Sequence, residues 1–385
     1  MKLYFSNTFP SAKSLFLFFG VIIISTALNG QITCAGETLD PSCLSSSNQF
    51  YQCIDGDFEA PSLYGTKLLP PAQAENLPQF LIIKGLLTFT ENYTFAPGSE
   101  IVFLDNNSGF RVFSTYELRL SSSYLHGCSR LWAGIDVRNS ARISIQDCTI
   151  EDAKAGIILR NQSSILASGN VFRKNVCGIL ALSQTAGSIS KISIILSSKL
   201  GISGNQFWGN NELLESISPS AISLGINSST SPGTTAYPWC GIFLQRVNFI
   251  TIGSLWDYPG TPVNSFLDFG QNKESDIRTN GIFAFNSNVT IKNSIFSNIG
   301  KYALSGGVAA EAISIQNTDI SITNATIVGM NQNAALAPFN TFANCWQDIR
   351  AIGSNLIVHD VTSYKAGNSI QGFAQFNQNA VKFKI

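Results

Sequence analysis

Arg138-Asn139 and Arg160-Asn161 repeat one dipeptide at a spacing of 22 residues. If successive 22-residue units stack, the two guanidinium groups stand side by side on one edge. Like charges so placed are mildly unfavourable. The two groups splay into water, pair with a neighbouring carboxylate, for which Asp136 is the candidate, or hold an anion from outside. Guanidinium groups bind carboxylate and sulfate bidentately, so an external ligand would be an acidic glycan. Arg138 and Arg160 are therefore the candidate ligand-binding residues. As surface charges they should add little to folding, so removing both should abolish glycan retention and leave thermal stability almost unchanged. The Asn after each Arg suits a turn, because Asn tolerates left-handed backbone.

The same offset sets Glu151 beside Arg173 and Asp152 beside Lys174, ~4.8 Å apart in the stacking direction. Opposite charges stacked in this way read as ion pairs on a solvated face. His359-Asp360 could be a base and its orienter, but neighbours in a strand face opposite ways. His126, beside Gly127, reads as a decoration of the corner between Leu125 and Gly134. No serine or cysteine stands in a nucleophile motif with a histidine partner, so no catalytic residue is assigned. With two histidines and eight cysteines that form no CxxC, neither a metal site nor a cofactor is expected.

Charge excludes other partners. Only 12% of the 385 residues are charged, with 24 basic against 24 acidic, so no net field draws nucleic acid or an anionic membrane. At the N-terminus, Lys2 and Lys13 precede the apolar run Leu15 to Ile24, and small and polar residues follow it. Spanning a bilayer takes about 20 apolar residues, so this run reads as a secretory signal peptide cut near Ala27 or Gly30. The expected location is extracellular or at the cell surface, with no transmembrane segment after cleavage. Export makes disulfides possible.

The elements that would carry these side chains follow from an internal repeat. Gly134, Gly156 and Gly178 are 22 residues apart, each after a small residue or cysteine and before Ile. Nine residues after the Gly comes an apolar pair, Ile143-x-Ile145 and then Ile165-x-Ala167, and five beyond it a large apolar residue, Ile150 and Phe172. The phrase extends back to Gly109 and forward through Gly178 (Leu200-x-Ile202, Phe207), Gly241 (Ile250-x-Ile252, Phe266) and Gly281 (Val289-x-Ile291, Phe296). Weaker copies follow at Ala312 (Ile320-x-Ile322, Ile327) and around Leu356-x-Val358. Apolar residues two apart are strands with one buried face. Three short strands and three turns per unit make one coil of a parallel β-helix, since no unit can bury its apolar face alone. Gly then marks a corner where the backbone takes positive φ or packs too closely for a Cβ, and Ile points inward. The interior column should run Ile143, Ile165, Leu200, Ile250, Val289, Ile320, with coils over residues 101 to 363. Cys177 and Cys240, each just before a corner Gly, should lie on adjacent coils, as stacked thiols or as a bond. The inserts Trp208 to Tyr237, Leu255 to Pro262 and Asn331 to Asn344 should project as loops.

Tyr93 to Val102, Tyr124-Leu-His-Gly-Cys128, Leu131-Trp-Ala-Gly-Ile135 and Cys148 to Ala153 carry a resemblance to secreted right-handed β-helix proteins of Bacteroidota-type bacteria. It covers roughly residues 80 to 330 and implies the fold of pectate lyases, but it rests on core and corner residues and implies no activity. β-Helix enzymes that cleave acidic polysaccharides use carboxylates with an Arg or Lys base, sometimes with calcium. Asn317-Thr-Asp319 resembles one fragment of the polygalacturonase signature, without its Gly-His-Gly. Members of the resembled group often end in a sorting domain, whereas Val381 to Ile385 reads as a strand without a cap.

The organisation expected is a signal peptide over 1–30, an N-terminal segment over 31–80 that is a candidate cap, and an all-β, right-handed parallel β-helix solenoid with inserted loops over 81–385. The expected role is a non-catalytic surface, adhesion or scaffold module whose partner is an anionic polysaccharide or another surface component. The alternative is a polysaccharide lyase or glycoside hydrolase acting on an acidic glycan.

Overall fold

A computed structural model describes residues 32–45, 50–183, 190–197, 204–218, 236–248, 250–252, 264–270, 279–292, 294–300, 310–317, 324–328, 342–359, 361, 363–364 and 368–373. The signal-peptide reading, the terminal Val381 to Ile385, and Leu200, Ile320, Asp319 and Asp360 lie outside them.

Among the described residues three parallel sheet faces wind about one main core. The first is an 11-stranded sheet that contains Gly134–Val137, Ala155–Arg160, Cys177–Leu182 and Cys240–Gln245. The second, or middle, sheet comprises five strands up to Ser193–Ser197 and, beyond an interruption, four from Ile250–Ile252. The third is again 11-stranded and includes Thr149–Glu151, Val171–Arg173 and Asn205–Trp208. Each coil visits them in the same order, and the 22-residue repeat appears directly in the register, Ile143 against Ile165 and Ile135 against Ile157.

Burial follows the period-2 pattern. Ile135, Ile157, Ile179, Ile242, Ile282 and Ile313, each next after a corner residue, are fully buried. In the third sheet Phe172, Phe207, Phe266, Phe296 and Phe342 stack ring on ring with centroids 4.8, 4.7, 4.8 and 5.2 Å apart. Beneath the turn that leads into this sheet, Asn170 Nδ2 donates to Asn205 Oδ1 at 2.8 Å and Asn205 Nδ2 to Asn264 Oδ1 at 3.1 Å. The same amides also satisfy turn backbone that burial would otherwise leave unpaired, Asn170 Oδ1 accepting from the Cys148 N–H and Asn170 Nδ2 donating to the Ile145 carbonyl.

The corner glycines answer to crowding. A Cβ at Gly178 would lie 2.6 Å from the Gly241 carbonyl oxygen and 2.7 Å from Phe207 Cδ1. Gly134 adds positive φ, +105°. Cys177 and Cys240 are register partners on adjacent coils, buried and unbridged, each thiol donating to a carbonyl two residues on. The disulfides are elsewhere, Cys34–Cys53 and Cys43–Cys128, and tie the N-terminal segment to itself and to the coils.

Three expectations of register need correction. The partner of Ile165 is Ile194, not Leu200, because Ser193–Ser197 is itself a strand within what reads as an insertion. The partner of Val289 is Ala325, not Ile320. Phe342, not Ile327, continues the Phe column from Phe296. In the first two cases a second apolar pair nearby, Ile194-x-Leu196 or Ala325-x-Ile327, takes the position, and apolar spacing alone does not distinguish the two. The coils also extend beyond 101 to 363, since Gln52–Asp55 already pairs with Phe80–Lys84 and Asn368–Phe373 with Gln347–Ile352.

Gly178→Ala should destabilise the fold by about 1–3 kcal/mol, because the new methyl meets backbone on one side and a packed ring on the other. A urea-denaturation midpoint equal to that of the unsubstituted chain would contradict this packing.

Candidate functional site

Asp136 lies on the outer face of the first sheet, between Arg111 of the preceding coil and Ile158 of the next. Arg138 and Arg160 turn toward it at the end of their strands. Arg138 Nε donates to Asp136 Oδ2 at 2.6 Å and Arg160 Nε to Asp136 Oδ1 at 3.1 Å. Arg111 Nε stands 3.8 Å from Asp136 Oδ2, too far to bond, and has no hydrogen-bond partner. Three guanidinium groups thus share one carboxylate that is 9% exposed. Burial pushes the Arg111 guanidinium below its ordinary range, and the neighbouring charge of Arg138 adds to this, while Asp136 and Asp57 oppose it. The corner beneath is rigidly repeated. Asn139 and Asn161 take φ of 53° and 48°, and Asn161 Nδ2 donates to Asn139 Oδ1 at 3.1 Å.

Arg138 and Arg160 therefore stand together with Asp136 between them. Arg111 was not singled out in the sequence, although subtracting one coil from Asp136 leads to it. The expectation of near-unchanged stability on removing both arginines needs correction. The side chain of Arg160 is only 13% exposed, and both residues compensate a mostly buried carboxylate. Stripping partners from a buried charge costs more than breaking a surface pair.

A second charged cluster lies on the outer face of the third sheet, where Glu100 aligns with Tyr124 and Glu151 with Arg173. Glu151 accepts from the Tyr124 hydroxyl and from Arg173 Nε. It is 3% exposed, so the expected solvated ion pair is instead a buried carboxylate with a half-exposed cation. Glu100 pairs with His126 Nε2 at 3.1 Å and accepts from the Ser45 backbone N–H, the Ser45 hydroxyl and the Tyr51 hydroxyl. Burial pushes the Glu100 carboxyl up, but these bonds outweigh it and bring it down to about 2. His126 is accordingly a buried clasp residue and not a corner decoration. Its role was illegible because Ser45 and Tyr51 come from the N-terminal segment, which carries no repeat.

Asp152 differs from its neighbours. It is buried, its Oδ1 has no partner, and burial together with the Glu151 charge pushes its carboxyl up to about 7. Among the described residues no group of three or more His, Cys, Asp or Glu side chains is arranged to hold a metal. Asn317 of the Asn-Thr-Asp fragment is fully buried and bridges coils, accepting from the Ser287 N–H at 3.1 Å and donating to Ser354 Oγ at 2.8 Å.

The raised Asp152 carboxyl has a definite consequence for stability. The folded chain keeps a proton that the unfolded chain releases near pH 3.8. Its contribution is fully present below that pH and is lost as pH rises to about 7. Asp152→Asn should therefore be more stable than the unsubstituted chain at pH 8 by about 4 kcal/mol relative to their difference at pH 4. Parallel pH–stability curves for the two proteins would contradict the buried proton.

Comparison with known proteins bears on the fold. A family model described as a right-handed β-helix region matches residues 86–227. The comparison with curated proteins finds no match. Among solved structures, an alginate lyase from a Paenibacillus species is similar at 15% identity, with 83% of this chain and 99% of that chain covered and a TM-score of 0.38. The A-module of a mannuronan C-5 epimerase from Azotobacter vinelandii is similar at 12% identity, with 78% and 85% covered and a TM-score of 0.26. The catalytic domain of an α-1,3-glucanase is similar at 12%, with 80% and 60% covered and a TM-score of 0.27. The parallel register of three sheets and the family match together make the chain a right-handed parallel β-helix.

Proposed function

We propose that the chain is an exported β-helix that holds an anionic polysaccharide at the cluster of Arg111, Arg138 and Arg160. The observation that carries this reading is the sharing of the single Asp136 carboxylate by three guanidinium groups. Asp136, with Asp57 acting on Arg111 from farther off, offsets part of the three charges, and the remaining positive charge is what an incoming carboxylate or sulfate group would neutralise. Arg111, its side chain 30% exposed against 27% for Arg138 and 13% for Arg160, is the most open of the three to an acceptor from outside. Export is supported by the disulfides Cys34–Cys53 and Cys43–Cys128, which persist in oxidising compartments.

A catalytic reading, as a lyase or hydrolase of an acidic glycan, would centre on Asp152, whose carboxyl titrates at about 7 beside Glu151. Its neighbours speak for the binding reading instead. Glu100 and Glu151 are each enclosed and already bonded, and Asp152 is 4% exposed. Such groups hold a fold together better than they meet a polymer.

The double variant Arg138→Gln, Arg160→Gln should lose at least about tenfold in affinity for polygalacturonate, the equivalent of one charge-assisted contact. Its far-UV circular dichroism should keep the β signature, while its stability falls by about 1–3 kcal/mol. A folded double variant that is retained on polygalacturonate as well as the unsubstituted chain would overturn the proposal.

A further inference from the structure

Across the corner from the arginine cluster lies a groove of about 530 Å³ on the outer face of the middle sheet. The turns that follow Arg138 and Arg160 lead directly into its walls, the strands Arg142–Gln146 and Ser164–Ser168. Ser140 and Gln162, which line its rim, take φ of 66° and 65°, so the corner has the same left-handed form on both coils. Side chains on either side of the corner are thereby held in a fixed relation.

The groove has its own charge pattern. Glu117, Arg142 and Ser164 align across three coils, as do Arg119, Ser144 and Leu166. Glu117 is already engaged, accepting from Arg119 Nη2 and from Ser144 Oγ at 2.7 Å each. Arg142 lines the same groove, is exposed, and forms no side-chain hydrogen bond or ion pair among the described residues. Leu166, 49% exposed, offers an apolar patch beside it. The groove thus presents a guanidinium without a direct bond, whose charge acts on Glu117 of the adjacent coil, together with hydroxyl groups and an apolar patch. Those are the contacts taken by an acidic sugar, which has a charged edge and an apolar ring face.

Three residues lie between Arg138 and Arg142, so the backbone between the cluster and the groove spans at most ~14 Å. Counting both sides, the corner gathers five arginines, Arg111, Arg119, Arg138, Arg142 and Arg160, against Glu117, Asp136 and Asp57, on a chain whose net charge is zero.

We infer that the ligand is a polymer that wraps this corner, with one acid group at the Arg111–Arg138–Arg160 cluster and a later one at Arg142 in the groove. The inference rests on the anionic-polysaccharide reading above and adds to it a second contact and a minimum length. On this inference a short acidic oligosaccharide makes one of the two contacts. A longer one reaches both, and the second contact then acts at high effective concentration.

The test compares a dimer and a hexamer of galacturonate by isothermal titration calorimetry, with dextran as the neutral control, on the full chain and on two variants. The hexamer should bind the unsubstituted chain at least about tenfold more tightly than the dimer. Arg142→Gln, a change at an exposed side chain, should remove about tenfold of hexamer affinity and leave dimer affinity unchanged. Equal hexamer affinity in Arg142→Gln and the unsubstituted chain would overturn the wrapping inference, while loss of binding in Arg138→Gln, Arg160→Gln would still uphold the cluster. Hexamer binding that neither variant weakens, or no binding beyond that of dextran, would overturn both.

Discussion

The structure depends on how closely one coil approaches the next. Where each coil enters the first sheet, the α-carbon of a corner residue faces a carbonyl oxygen of its neighbour, at a distance that leaves no room for a side chain at Gly178 or Gly241. Parallel ladders set this spacing at about 4.8 Å, and every column inherits it. Ring stacking along Phe172, Phe207 and Phe266, the asparagine ladder beneath the turn, and the paired thiols of Cys177 and Cys240 are all consequences of one repeat distance. Apolar columns gain from such repetition, because each added coil buries the exposed face of the last.

Charged columns do not gain in the same way. A repeat that sets Ile over Ile also sets Arg138 over Arg160, and the second guanidinium must find a counter-charge close by. Asp136 meets this need from inside the first sheet, and Glu151 plays the same part for Arg173 in the third. The two solutions differ in completeness. Around Glu151 one carboxylate meets one cation and a tyrosine hydroxyl, whereas around Asp136 it meets three cations. The imbalance sets a clasp with its charges matched apart from a cluster with positive charge in excess.

Much of this was legible in the sequence where the period is unbroken. From Gly109 to Gly178 the glycine, the apolar pair and the large apolar residue recur with so little variation that strand, corner and interior positions could be numbered, and Arg138 placed against Arg160 without coordinates. Beyond Gly178 the turns lengthen, and two apolar pairs, Ile194-x-Leu196 and Leu200-x-Ile202, offer themselves for one strand. Apolar spacing does not distinguish them, since either would bury its face; Ile194 holds the register because its strand aligns residue for residue with Ser164–Ser168. The Glu100 clasp was illegible for another reason. Its partners Ser45 and Tyr51 come from a segment without periodicity, anchored by the Cys43–Cys128 bridge. The excess charge of the Asp136 cluster stayed hidden until Arg111 was aligned from the preceding coil.

The central claim, that guanidinium groups at this corner hold an acidic polymer by charge, is tested most directly by the salt dependence of binding. Exposed charges are screened over roughly 10 Å at 0.1 M salt and about 3 Å at 1 M. Polygalacturonate affinity measured across this range should fall steeply, with dextran unbound throughout. Affinity for polygalacturonate that holds constant from 0.1 to about 1 M salt, or equal binding of dextran, would contradict the account.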